Sequence, residues 1–92
     1  MTEPYLSHPV RRRRRDPAPD VVADLVVEPE AGAADAVASA VRDLDGVVRD
    51  RLASGALRVD LPEPAIAALC ERSDLVRVET ANTLGLGLDD GA

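Results

Sequence analysis

Lysine, phenylalanine and tryptophan are missing from this chain, and tyrosine, cysteine and histidine occur once each. Without large rings, a core has to be built from Val, Leu, Ile and Ala, each burying less area than an aromatic would. The single cysteine, Cys70, excludes an internal disulfide. Cys70 and His8 together do not make a zinc site without a partner chain. No apolar run approaches the ~18 residues that cross a membrane. The first residues lack the apolar stretch of a secretory signal, so the expected location is cytoplasmic. What is present is aliphatic, with 46% hydrophobic residues in 92 positions, which is room for one small domain. A core of that size is marginal on its own.

Charge is unevenly spread. Residues 1–19 carry five Arg against Glu3 and Asp16, a net of +3, while residues 20–92 carry six Arg against fifteen acids, a net of −9. A domain at −9 repels nucleic-acid phosphates and anionic lipid, so neither nucleic acid nor membrane is an expected partner. The Arg11–Arg15 run leaves three openings: nucleic acid, an acidic partner, or a protease target. Its plainest reading is a solvated tail, paired at most with its own acidic domain. Acid-rich, lysine-free composition fits a halophilic protein and equally a GC-rich genome.

Residues 1–20 hold Pro4, Pro9, Pro17, Pro19 and the Arg run, with no hydrophobic period, and are expected to be a disordered tail. On that reading, removing residues 1–19 leaves the fold intact. Val21 to Val27 reads as a central strand, β-branched and nearly continuous in apolar residues. Ala33 to Leu44 reads as a helix with Val37, Ala40, Val41 and Leu44 on one face, stopped by Asp45-Gly46. Val47–Leu52 and Ala56–Leu61 read as a hairpin turning at Ala53-Ser54-Gly55. In its second strand Leu57, Val59 and Leu61 alternate with Arg58 and Asp60. Pro62-Glu63-Pro64 opens a second helix with Ile66, Leu69 and Cys70 inward, and Leu75–Glu79 is the last strand. The expected fold is α+β and ferredoxin-like: a βαββαβ domain over residues 21–80, with a four-stranded antiparallel sheet and two helices on one face. Residues 81–92 form a C-terminal tail in which Leu84, Leu86 and Leu88 alternate with Gly85 and Gly87.

No catalytic apparatus is legible, and the chain is expected to be no enzyme and to need no cofactor or metal. His8 has no Asp, Cys or second His beside it. Asp43, Asp45, Asp50 and Asp60 are scattered, as on a solvated face, and are not paired for acid–base work. Cys70 reads as a small buried hydrophobe.

The local words carry a resemblance. A helix ends in Asp45-Gly46 before Val-Val-Arg-Asp; a hairpin leads into Leu-Arg-Val-Asp-Leu-Pro; a short helix precedes Val-Arg-Val-Glu. Gly46, Val59, Leu61, Pro62, Leu69, Val76, Val78 and Glu79 match a pattern that resembles the subtilisin propeptide-like inhibitor family, over about residues 21–88. The resemblance implies a protein that docks on a subtilisin-type serine protease as inhibitor or folding chaperone. It implies that the outer sheet face packs on two protease helices, with carboxylates such as Glu79 capping their N-termini. It further implies that the tail enters the cleft as an added strand, with Leu84, Leu86, Gly87 and Leu88 as contacts and Gly87 or Leu88 at the primary pocket, Leu88 being the better fit to an apolar one. With no protease domain in the sequence, such an inhibitor acts in trans, as a monomer or weak homo-oligomer. Two alternatives stand beside it. One is a ferredoxin-like regulatory or assembly module that oligomerises and binds a small molecule or protein. The other, an acylphosphatase-type enzyme, needs a Gly-rich loop with an Arg after the first strand, and Glu28-Pro29-Glu30-Ala31-Gly32 offers neither.

Overall fold

In the computed structural model, which describes residues 4–81, the chain runs β1 (Tyr5–Leu6), α1 (His8–Arg15), β2 (Val22–Pro29), α2 (Ala34–Asp43), β3 (Val47–Arg51), β4 (Leu57–Pro62), a 3-10 turn (Glu63–Ala65), α3 (Ile66–Cys70) and β5 (Leu75–Thr80). The sheet has five strands in the order β1-β5-β2-β4-β3. Strands β2 to β5 pair antiparallel throughout, while β1 adds to β5 in parallel, Tyr5 opposite Arg77 and Leu6 opposite Val78. The α+β class holds. The four-stranded sheet with two helices does not: among the described residues the sheet has five strands and there are three α-helices.

The difference lies in residues 5–15, where regular structure stands in place of the expected tail. Its four prolines are compatible with that structure. Pro9 falls in the first turn of α1, where an N–H has no intrahelical partner to lose. Pro4 precedes β1, and Pro17 and Pro19 lie in the connection to β2. Two apolar side chains hold the segment down. Val10 is fully buried and Leu6 nearly so, and both belong to one core cluster with Val37, Val41, Ile66, Leu69 and the inward strand residues. At roughly 1.5–3 kcal/mol per buried aliphatic side chain, that offsets the ordering of a short arm. Glu63 adds a polar latch. Its buried carboxylate accepts the Ala18 N–H at 2.9 Å and meets the Arg13 guanidinium at 3.3 Å.

Core packing explains the other elements. Ala23, Leu25 and Val27 on β2, and Leu57, Val59 and Leu61 on β4, point to the helix side; register places Leu25 opposite Val59 and Val27 opposite Leu57. Helix α2 ends in a Schellman arrangement: the Gly46 N–H donates to the Val41 carbonyl at 2.8 Å and the Asp45 N–H to that of Arg42 at 3.0 Å. The left-handed residue is Asp45, at φ 67°. Gly46 serves packing instead. A Cβ there would sit 2.7 Å from Val41 Cγ1 and 2.8 Å from the Asp60 carbonyl oxygen. Gly55, at φ +95°, supplies the left-handed conformation the β3–β4 turn requires.

Candidate docking face

The helices α1, α2 and α3 all contribute to one core, so they cover one side of the sheet. The opposite side carries no helix among the described residues. Its residues follow from the period of two: Val22, Asp24, Val26 and Glu28 on β2; Arg58 and Asp60 on β4; Arg77 and Glu79 on β5. On β3 the register places Val47 opposite Asp60 and, past a bulge at Val48–Asp50, Asp50 opposite Arg58, while Arg49 in the bulge reaches Asp60 through its side chain.

Register brings charges together that sequence order keeps apart. Asp24 and Asp60 stand directly opposite each other, a like-charge pair that is unfavourable alone. Each has its own arginine. Arg58 clasps Asp24 through two nitrogens at 2.7 and 3.1 Å. Arg49 holds Asp60 through Nε at 2.7 Å and a second nitrogen at 2.5 Å. The hydrogen bonds from Arg58 hold the Asp24 carboxyl below its ordinary range, with the Arg58 charge adding to the effect and partial burial opposing it. At the β5 edge Arg77 donates to Glu79 at 3.0 Å, approaches Glu28 at 3.7 Å and lies over the Tyr5 ring, 5.5 Å from its centroid.

Between these pairs stand aliphatic and aromatic side chains. Val22 is 60% exposed, Tyr5 56% and Val47 50%. Val26 sits mid-face between Glu79 on β5 and Arg58 on β4. The face carries five carboxylates (Asp24, Glu28, Asp50, Asp60, Glu79) against three arginines (Arg49, Arg58, Arg77), so all its arginines are engaged, a small surplus of carboxylate remains, and apolar area stands between the charges. Exposed pairs of this kind contribute little to folding, typically 0–1 kcal/mol, so stability alone does not account for the set.

Of the residues expected to bind a partner, Glu79 lies on this face. It is nearly buried and one of its oxygens is already engaged by Arg77, so it is part of a cluster and not a free capping carboxylate. Leu84, Leu86, Gly87 and Leu88 lie outside the described residues. Arg77, Arg58, Asp24 and Tyr5 were not singled out from the sequence. The alternation Arg58-Val59-Asp60 gave the face of each residue, but the cross-strand neighbours depend on register. Among the described residues no group of three or more His, Cys, Asp or Glu could hold a metal ion, and no helix is long and apolar enough to cross a membrane. A shallow cavity of about 230 Å³ between α2 and α3, lined by Ala40, Asp43, Leu44, Ala68 and Arg72, lies on the helix side. Arg72 is already held by Asp74 through two nitrogens at 2.7 and 2.9 Å. Cys70 is buried, and burial pushes its thiol up, away from the reactive thiolate.

A family model described as a putative peptidase inhibitor domain matches residues 5–81. The match starts at the first residue of β1, so the arm and the helix α1 fall within the family's domain. No curated protein and no solved structure matches the chain.

Proposed function

Because the chain belongs to that peptidase inhibitor family, we propose that it binds a subtilisin-type serine peptidase through the bare side of its sheet. In this reading the segment after β5 enters the peptidase cleft as an extended strand, and the protein blocks the enzyme or assists its folding. It acts as a cytoplasmic monomer or weak homo-oligomer, without catalysis of its own. We also take β2 to β5 with α2 and α3 as a ferredoxin-like unit, on the strand order β5-β2-β4-β3.

One observation carries the reading: a sheet face with no helix over it among the described residues, on which Val22, Val47 and Tyr5 remain exposed between arginine–carboxylate pairs. Two helices of a partner can lie across such a face as α2 and α3 lie across the other. Thr80 ends β5, and the chain beyond it leads to Leu84, Leu86 and Leu88. In an extended strand those three share one side, and Gly85 and Gly87 let backbone approach backbone.

The test is inhibition of a subtilisin-type peptidase by three chains: wild type, Leu88→Asp, and a chain ending at Thr80. A charge in the apolar primary pocket should weaken inhibition by more than about tenfold, and loss of the tail should weaken it further. Equal inhibition by all three removes the tail from the mechanism. No inhibition by wild type at micromolar concentration removes the peptidase reading and returns the chain to the regulatory or assembly module.

A further inference from the structure

Helix α1 presents a second surface, on the helix side of the sheet. Val10 points into the core and Arg13, one turn on, is tied to Glu63. That orientation fixes what the rest of the helix shows to solvent. His8, Arg11, Arg12 and Arg15 follow the spacing i, i+3, i+4, i+7 and form a continuous exposed stripe, with Arg14 exposed beside it. Among the described residues Arg11, Arg12, Arg14 and Arg15 have no carboxylate within ion-pair distance. The arginines of the sheet and of the α3–β5 connection are all paired: Arg49, Arg51, Arg58, Arg72 and Arg77. The helix dipole favours cations in the last turn, where Arg12, Arg14 and Arg15 lie, but only weakly for each exposed side chain. It gives no benefit to Arg11, and the like charges of the arginines repel one another along the stripe.

We propose that this stripe binds an acidic segment of a partner protein, a short run of clustered Asp and Glu. The stripe from His8 to Arg15 is about 10 Å long, seven steps at the helical rise of 1.5 Å. Arginine forks match carboxylates two bonds at a time. A few carboxylates fill that length. A nucleic acid or an anionic bilayer extends well beyond it and meets a chain whose residues 20–92 carry a net charge of −9. The helix also has no apolar residue left to insert into lipid, since Val10 is buried. The stripe lies on the opposite side of the sheet from the bare face, so both surfaces can be occupied together. This inference does not rest on the peptidase reading.

The experiment measures binding of the full chain to a labelled oligo-glutamate peptide by fluorescence anisotropy. The competitors are an oligothymidylate of matched charge and vesicles containing phosphatidylserine. The triple variant Arg11→Gln, Arg12→Gln, Arg15→Gln keeps Val10 and Arg13, and its circular dichroism melt reports whether it stays folded. Binding of the peptide should weaken about tenfold in the variant, as expected for three exposed ion pairs. In wild type it should fall steeply with added salt, and the peptide should outcompete both other polyanions. Unchanged binding in a folded variant overturns the proposal. So does tighter wild-type binding to the oligothymidylate or the vesicles, or no wild-type binding to the peptide at low salt, whatever the variant does.

Discussion

One side of the sheet carries Ala23, Leu25, Val27, Leu57, Val59, Leu61 and Val78 beneath three helices; the other carries Val22, Asp24, Val26, Arg58, Asp60, Arg77 and Glu79 with no helix over it among the described residues. The same strands build both. On the covered side, side chains are excluded from water and every missing methylene is felt. On the bare side, the three arginines are each held by a carboxylate and Val side chains stay wet. The covered side holds the molecule together, and the bare side is free to hold something else. Mutations on the two sides should therefore report different things.

The largest effect is expected from the arm. Removing residues 1–16 strips Leu6 and Val10 from the core, a loss of roughly 3–6 kcal/mol at 1.5–3 kcal/mol each. That is a large part of the 5–15 kcal/mol typical of a whole domain. The truncated chain should be unfolded or melt some tens of degrees lower, as circular dichroism would show. The point change Val10→Asp should act in the same direction, by about 3 kcal/mol or more, since it buries an unpaired charge. A truncated chain with the wild-type melt would mean that the arm is not part of the covered side.

Smaller losses are expected from single contacts on that side. Glu63→Ala leaves the Ala18 N–H without its acceptor and unties Arg13, which should cost about 1–3 kcal/mol in urea denaturation. Gly46→Ala forces a Cβ to within 3 Å of Val41, Leu61 and the Asp60 carbonyl oxygen, and overpacking of this kind costs about 1–3 kcal/mol.

The smallest change in stability belongs to the bare side. Asp24→Asn weakens the pair with Arg58 and should lower stability by under about 1 kcal/mol. Its pH dependence has a definite sign. The Asp24 carboxyl is held below its ordinary value of 3.8, chiefly by the hydrogen bonds from Arg58. Its contribution is therefore present above that value and is lost as the pH falls through the lowered one. Melts of wild type and Asp24→Asn should differ slightly near neutrality and converge in acid. A gap that widens in acid would contradict the assignment.

How much of this was legible in the sequence differs along the chain. The segments from Val22 to Thr80 announce themselves. Leu57, Val59 and Leu61 alternate with polar neighbours, and Val37, Val41 and Leu44 recur at helical spacing, because each element buries one face and repeats the pattern several times. The arm escaped because it is anchored by two residues. Leu6 and Val10 make no period, and the five arginines around Val10 outweigh it in any average. What holds them is tertiary: the parallel pairing with β5, the core beneath, and a carboxylate 45 positions from its Ala18 partner. The Asp45-Gly46 stop was placed correctly for a partly different reason, since Asp45 takes the left-handed conformation and Gly46 makes room for Leu61. On the candidate face, Glu79 was singled out, but its engagement with Arg77 was not. Arg77 and Glu79 are two apart on one strand, yet Glu28 and Tyr5 reach the cluster only through β2 and β1. That β1 exists at all was the missed premise.

The most direct test of the account asks which side of the sheet a peptidase touches. Valine methyl NMR spectra of the full chain, recorded with and without an active-site-blocked subtilisin-type peptidase, separate the two sides. Val22, Val26 and Val47 should shift or broaden, while Val10, Val37 and Val41 should hold their positions. Perturbation confined to Val10, Val37 and Val41, or no perturbation at any valine, would contradict docking through the bare face.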